Sequence, residues 1–357
     1  MQDGASMDST RASTPPGLAA HGSVLGKYGM LNVVQFGAGR IGHIHAANIA
    51  AEGRMRLARV VDPMTESALS MAALYGGQVS DIGEALADPQ IAGVIIASPT
   101  AMHLDHAIAA ARAGKAIFCE KPLDLDLDRV RVAGCELRDA AARLFLAFNR
   151  RFDPNFSELK RRLISGAVGN LETIHIISHD PAPPPLSYVR SSGGIFKDMS
   201  IHDLDMARWL LEEEPIEVFA SAAALFDPAI GEAGDFDTAK IILRTASGKM
   251  CFISNSRRSG YGYDQRIEAF GSRGMVCARN VVETTVEQWG EQGISADRFQ
   301  NFFLERYASA YRAEMSHFAD IMEGKVRPLI GYADGLRALE LAVAAYESAT
   351  TRRIVQI

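Results

Sequence analysis

Between residue 30 and about residue 148, short apolar runs alternate with longer stretches whose apolar residues recur at helical spacing. The runs at 32–36, 57–61, 93–97, 116–119 and 143–147 are the strand candidates. Strands that alternate with helices predict a parallel sheet flanked by helices. After Asn149 the pattern shifts to strand-like segments at 171–178, 218–225, 238–244, 249–255 and 265–270. Several of their connections are hairpin-like, Thr245-Ala246-Ser247-Gly248 being the clearest, so this half predicts a largely antiparallel sheet. One helix, over 201–211, interrupts it, and helical stretches at 308–322 and 333–349, separated by Gly324 and Pro328, follow. The expected units are a dinucleotide-binding domain over 30–148, an α+β domain over 149–330 and a C-terminal helix and tail over 331–357. Residues 1–29, a Ser, Thr, Gly, Ala and Pro mixture without periodicity or the marks of a signal peptide, are expected to be a disordered extension. Met30, just before the first strand, offers an alternative start of translation.

Composition narrows the class of function. A chain of 357 residues exceeds one average domain and suggests two, each able to bury its own core. The formal charge of -6 and the absence of basic runs argue against nucleic acid or an anionic membrane as partner, and no apolar stretch is long enough to span a bilayer. Cys119, Cys135, Cys251 and Cys277 form no C-x-x-C or Cys/His pattern, so they read as reduced thiols of a cytoplasmic protein and no metal site is expected.

Gly37-Ala38-Gly39-Arg40-Ile41-Gly42 directly follows the first strand, and Asp62 ends the second. The first glycine permits a tight strand-to-helix turn, the second lets a pyrophosphate approach the backbone and the third lets the helix pack on the strand. A carboxylate at Asp62 can accept hydrogen bonds from the adenine ribose and repels a 2′-phosphate, which favours NAD over NADP. Ligands of such sheets bind outside the carboxyl ends of the strands, where Asp62, Thr100 and Glu120-Lys121-Pro122 fall. Thr100, after Pro99, can cap the helix that carries His103 and His106. Lys121 is either a surface lysine or a group that stabilises charge on a substrate oxygen as hydride leaves the adjacent carbon. Asp198 and His202 lie four apart and share a face in helical geometry. They read either as a carboxylate orienting an imidazole base or as a helix-start Asp paired with a partly buried His.

Taken together, the order of Gly37-Ala38-Gly39-Arg40-Ile41-Gly42, Asp62, Glu120-Lys121-Pro122 and the stretch from Gly193-Gly194 through Asp198-Met199 to Ile201-His202-Asp203 resembles the Gfo/Idh/MocA oxidoreductases over 30–357. The stretches at 148–153, 180–185 and 261–266 resemble those members that act on inositol. The resemblance implies an α/β protein with an N-terminal Rossmann domain and a C-terminal α+β domain, whose open, largely antiparallel sheet packs on a neighbouring subunit, commonly in tetramers. It implies Lys121, Asp198 and His202 as the catalytic set, with His202 accepting the proton, Asp198 tuning it and Lys121 holding the reacting hydroxyl. Carried over by position, NAD is bound by 37–42, Asp62, Thr100, Glu120 and Lys121, and substrate by Lys121, Arg150, Arg151, Asp180, Asp198, His202 and Tyr263. His45 is expected to serve packing, and His179 is a weak candidate at the strand end. The expected reaction is oxidation of a ring hydroxyl of a cyclic polyol, myo-inositol foremost. The alternatives are another inositol isomer, a pyranose sugar, or a sugar-sensing regulator that binds NAD without turnover. The cofactor expectation is open to test: NAD should be used in preference to NADP, and Asp62→Ala should narrow the gap mainly by weakening NAD binding in steady-state kinetics. Equal or better use of NADP by the unaltered protein contradicts it.

Overall fold

The computed structural model describes residues 29–139 and 143–357, so the extension expected over 1–29 lies outside the described residues but for Gly29. Six strands form a parallel sheet: β1 (Leu31–Phe36), β2 (Met55–Val61), β3 (Gln78–Val79), β4 (Ile91–Ile96), β5 (Ala116–Glu120) and β6 (Leu144–Ala147), in the order β3-β2-β1-β4-β5-β6. Helices α1 (Arg40–Glu52), α2 (Thr65–Tyr75), α3 (Ile82–Ala87), α4 (His103–Arg112) and α5 (Leu127–Asp139) connect them. Every residue of β1 is buried, as a strand covered by helices on both faces requires, which is why its apolar run is continuous. β3 escapes the hydrophobic pattern because it is only two exposed residues on an edge. Thr100 makes no capping bond; it opens a 3₁₀ turn, Thr100–Met102, ahead of α4. The strand order reverses between β1 and β4, and the crevice above that switch point is the ligand position of such sheets.

Six strands of the second half are β7 (Leu171–His179), β8 (Pro215–Ala223), β9 (Thr238–Thr245), β10 (Met250–Ser256), β11 (Asp264–Gly271) and β12 (Gly274–Ala278). A two-stranded hairpin, β13 (Glu287–Gly290) with β14 (Gly293–Ala296), stands apart, and β15 (Val355–Gln356) pairs with β8. The large sheet runs β12-β11-β7-β10-β9-β8-β15, antiparallel except for the parallel pair β7 and β10. Burial alternates along β9, so one face of the sheet is core and the other bears Phe219, Ile242, Met250 and Phe270 in the open. The helices of this half are α6 (Pro154–Ile164), α7 (Leu186–Val189), α8 (Ile201–Leu211), α9 (Pro228–Glu232), α10 (Phe303–Arg306), α11 (Ala308–Met322) and α12 (Tyr332–Thr351).

The last two long helices belong to both cores. In α11, Met315, Phe318 and Ile321 pack with the parallel sheet while Ala310 and Tyr311 pack with the second sheet. In α12, Ala338 and Leu339 face the first core and Leu341, Ala342 and Ala345 the second. Gly93 on β4 makes room for this docking, since a Cβ there would stand 2.6 Å from the Met322 sulfur. The two sheets are thereby locked together through helices that the pattern placed after them.

Candidate active site

The crevice over β1 and β4 has the form of a dinucleotide cradle. Gly37 adopts φ +101, and a Cβ on it would lie 2.4 Å from the Ala97 carbonyl oxygen, so only glycine makes this turn. Gly39 is the opposite case: it is extended, no side chain caps α1 behind it, and nothing lies within 4 Å of a Cβ built there. That open space at a helix N-terminus fits a pyrophosphate, whose charge the helix dipole and backbone N–H groups favour. Asp62 accepts hydrogen bonds from the Ala38 N–H at 2.7 Å and the Met64 N–H at 2.8 Å, which holds its carboxylate beside the turn. Each oxygen keeps lone-pair capacity for a ribose hydroxyl. Ala38 and Gly42 are buried in the turn, Ile41 is half-buried, and the guanidinium of Arg40 lies over the Phe303 ring at 5.5 Å.

Glu120 ends β5, and its carboxylate meets His45 Nε2 of α1 at 2.6 Å. Burial works against the charge on Glu120, yet the His45 bond and the nearby Lys121 hold its carboxyl below the usual range. His45 is therefore more than packing: it anchors the strand end that presents Lys121. The Lys121–Pro122 peptide is cis, and Lys121 Nζ donates to the Asp198 carbonyl oxygen at 2.7 Å while lying 3.6 Å from Asp198 Oδ1. Lys121 and Asp198 thus meet across the two halves of the protein.

Asp198 and His202 do not pair as their spacing suggested. Residues Phe196–Ser200 form a π-helical turn that runs into α8. Asp198 instead accepts from the Tyr188 hydroxyl at 2.9 Å through Oδ1 and from Arg257 at 3.4 Å through Oδ2. His202 stands edge-on to Phe148 at 6.0 Å, and its buried Nδ1 has no hydrogen-bond partner. Burial, with the charges of Lys121 and Arg150, pushes its pKa well below the usual imidazole value. His202 is neutral at neutral pH, with a proton-accepting nitrogen available.

Asp180 lies close enough to Asp198, Arg257 and Arg150 to feel each, and burial together with the Asp198 charge pushes its carboxyl up to about 7 against the two arginines. Tyr263 is buried among Phe302 and Tyr307, within electrostatic reach of Arg150 and Asp180. His179, by contrast, spends Nε2 on the Ser254 hydroxyl at 2.9 Å. The two arginines expected to bind substrate are otherwise engaged. Arg150 is buried, ion-paired with Asp203 and 3.0 Å from the Ser178 hydroxyl. Arg151 is placed away from the catalytic groups: it makes a two-pronged bond to Asp205 at 2.8 and 2.5 Å, contacts Asp334 at 2.9 Å and borders a cleft with Lys160, Arg208 and Trp209. Asp203 and Asp205 are fully buried partners of these arginines. Arg257 and Tyr188 were missed because both lie just outside the stretches that carry the resemblance; only their meeting at Asp198 marks them.

Comparison with known proteins accords with this geometry. Residues 31–148 match the oxidoreductase family with an NAD-binding Rossmann fold, and residues 156–277 match the GFO/IDH/MocA C-terminal domain. An inositol 2-dehydrogenase of Rhizobium meliloti (strain 1021) is 46% identical over 321 residues, covering 90% of this chain and 97% of the relative. The crystal structure of a myo-inositol dehydrogenase from Corynebacterium glutamicum ATCC 13032 is similar with a TM-score of 0.88 and 45% identity, covering 92% of this chain and 99% of that one. A scyllo-inositol dehydrogenase from Lactobacillus casei, solved with bound NAD(H) and scyllo-inositol, has a TM-score of 0.86 and 29% identity over 92% of this chain and 99% of that one. The glycine turn, the acidic end of β2 and the lysine and imidazole above the switch point accordingly mark a chain that belongs to the Gfo/Idh/MocA oxidoreductase family.

Proposed function

We propose that this chain is an NAD-dependent inositol 2-dehydrogenase that oxidises a ring hydroxyl of myo-inositol to the ketone. The observation that carries the reading is the convergence of a lysine ammonium, a carboxylate and a half-buried neutral imidazole at the mouth of a dinucleotide cradle. NAD supplies the acceptor for the hydride that leaves the substrate carbon. His202 takes the hydroxyl proton, a role open to it because burial keeps the ring unprotonated. The Lys121 ammonium holds the reacting oxygen and stabilises the charge that develops there. Asp198 fixes that ammonium and tunes the charge around the imidazole from across the site rather than by a direct bond. The alcohol thus gives up a hydride and a proton, and the products are a ketone, NADH and the protonated base.

Other features support the finer parts of the reading. The open sheet face with Phe219, Ile242, Met250 and Phe270 suits burial against a second copy, in keeping with a homo-oligomer, a tetramer in our proposal. The likeness to inositol dehydrogenases supports placing the enzyme in the cytoplasm, in inositol catabolism, and among the described residues no helix is long and apolar enough to cross a membrane.

Two outcomes follow. The Asp180 carboxyl, held near neutrality, ionises as pH rises through about 7, and the added negative charge offsets Arg150, one of the two cations that lower the proton affinity of His202. kcat/KM for oxidation should therefore rise through about pH 7, the inflection should vanish in Asp180→Asn, and His202→Ala or Lys121→Ala should each lower kcat by about 100-fold or more with NADH affinity intact. Near-full turnover in either alanine variant returns that residue to a structural role. In a substrate panel, myo-inositol should be turned over well, pyranoses more weakly and cyclohexanol very poorly, since each missing hydroxyl leaves a protein group unpaired at about 1–3 kcal/mol. Equal kcat/KM for cyclohexanol and myo-inositol removes the polyol reading.

A further inference from the structure

The segment that follows β7 carries three consecutive prolines, Pro183-Pro184-Pro185, and then the short helix α7. Its Tyr188 reaches back over the site: the hydroxyl donates to Asp198 Oδ1 at 2.9 Å, and that oxygen lies 3.6 Å from Lys121 Nζ. The same phenol is within electrostatic reach of Arg40 on the glycine turn and of Arg257 beneath Asp198. Tyr188 thus stands where the cofactor cradle and the catalytic groups meet. Its residue is nonetheless 45% exposed, although its hydroxyl is held by Asp198. The arrangement has the parts of a ligand contact. The phenolic oxygen that donates to Asp198 keeps lone pairs that can accept from a second hydroxyl, and an aromatic face can cover the C–H surface of a six-membered ring. The prolines fix the backbone that leads to it, so holding the ring over the site loses little conformational freedom.

We propose that Tyr188 is a substrate-contacting residue that selects a polyhydroxylated ring, its hydroxyl bridging Asp198 and one ring hydroxyl of the substrate while its face covers the ring. The inference rests on the inositol dehydrogenase reading. Lys121 and His202 act on the reacting carbon, whereas Tyr188 reads a neighbouring hydroxyl, so its contribution is to binding and to discrimination among stereoisomers. Tyr188→Phe keeps the ring and removes only the hydroxyl of a half-exposed side chain, so the fold is not at risk.

The experiment is steady-state kinetics of the full chain and of Tyr188→Phe and Tyr188→Ala with myo-inositol and its epimers, together with calorimetric titration of myo-inositol into the enzyme–NADH complex. The expected result is a KM and a calorimetric Kd for myo-inositol raised about tenfold in Tyr188→Phe and further in Tyr188→Ala, with kcat within about twofold, NADH affinity unaltered and the preference among epimers flattened. Unchanged KM and epimer preference in Tyr188→Phe overturn the inference, as does a loss confined to kcat, which assigns the tyrosine to positioning Asp198 alone, or a loss of NADH affinity. Absence of both turnover and calorimetric binding of every inositol by the unaltered protein removes the dehydrogenase reading and this inference together. Normal turnover by the unaltered protein with an indifferent Tyr188→Phe removes this inference alone.

Discussion

The geometry of the site depends on two adjacent ion pairs. Arg150 and Arg151 follow the last strand of the parallel sheet and pair with Asp203 and Asp205 on α8, the helix that begins beside His202. All four side chains are buried, and Asn255 of β10 donates to Asp203 at 2.7 Å while Asp334 of α12 takes up the remaining edge of Arg151. Burial alone would weaken the charge on Arg150, but Asp203 drives its protonated form up. Removing one partner of such a pair leaves a buried charge uncompensated, typically at about 3–5 kcal/mol, so neither half can drift without a large penalty. The two pairs fix the helix bearing the base against the sheet bearing the cofactor cradle.

With that frame in place, the charges of the site arrange themselves by position rather than by local spacing. Lys121 is fixed from behind by the His45–Glu120 contact and in front by the Asp198 carbonyl. Asp198 is spread over Tyr188, Arg257 and Lys121, and Arg257 is in turn held by Asp235 at 3.2 Å. His202 is left without a carboxylate partner and with two cations nearby, so it is a weak but free base. Asp198 lies beside Lys121, and Asp203 beside Arg150, so each of the two cations that bear on the imidazole is itself partly offset by a carboxylate.

Much of this was legible in the sequence where a residue's neighbours along the chain decide its environment. The glycine turn, Asp62 and the Glu120-Lys121-Pro122 strand end sit at element termini, so the alternation of strands and helices already placed them at one crevice. The open sheet was legible from its alternating runs, but not the parallel pairing of β7 with β10, which joins strands far apart in the chain. The spacing of Asp198 and His202 could not show that Asp198 turns to Tyr188, Arg257 and Lys121 instead, because those partners lie 10, 59 and 77 residues away in the chain. Arg150 and Arg151 looked like polar groups free for a ligand; their partners lie more than fifty residues on, and nothing local announces that they are spent.

The most direct test is a double-mutant cycle at the pair furthest from the reacting groups, Arg151→Met and Asp205→Asn, read by thermal unfolding and by kinetics with myo-inositol. If the ion pairs act by fixing α8, Arg151→Met lowers Tm and kcat while KM stays near normal, and the double variant recovers part of the loss, with a coupling of about 1–3 kcal/mol. If Arg151 instead binds substrate, Arg151→Met raises KM, Tm and kcat stay put, and the two substitutions add without coupling.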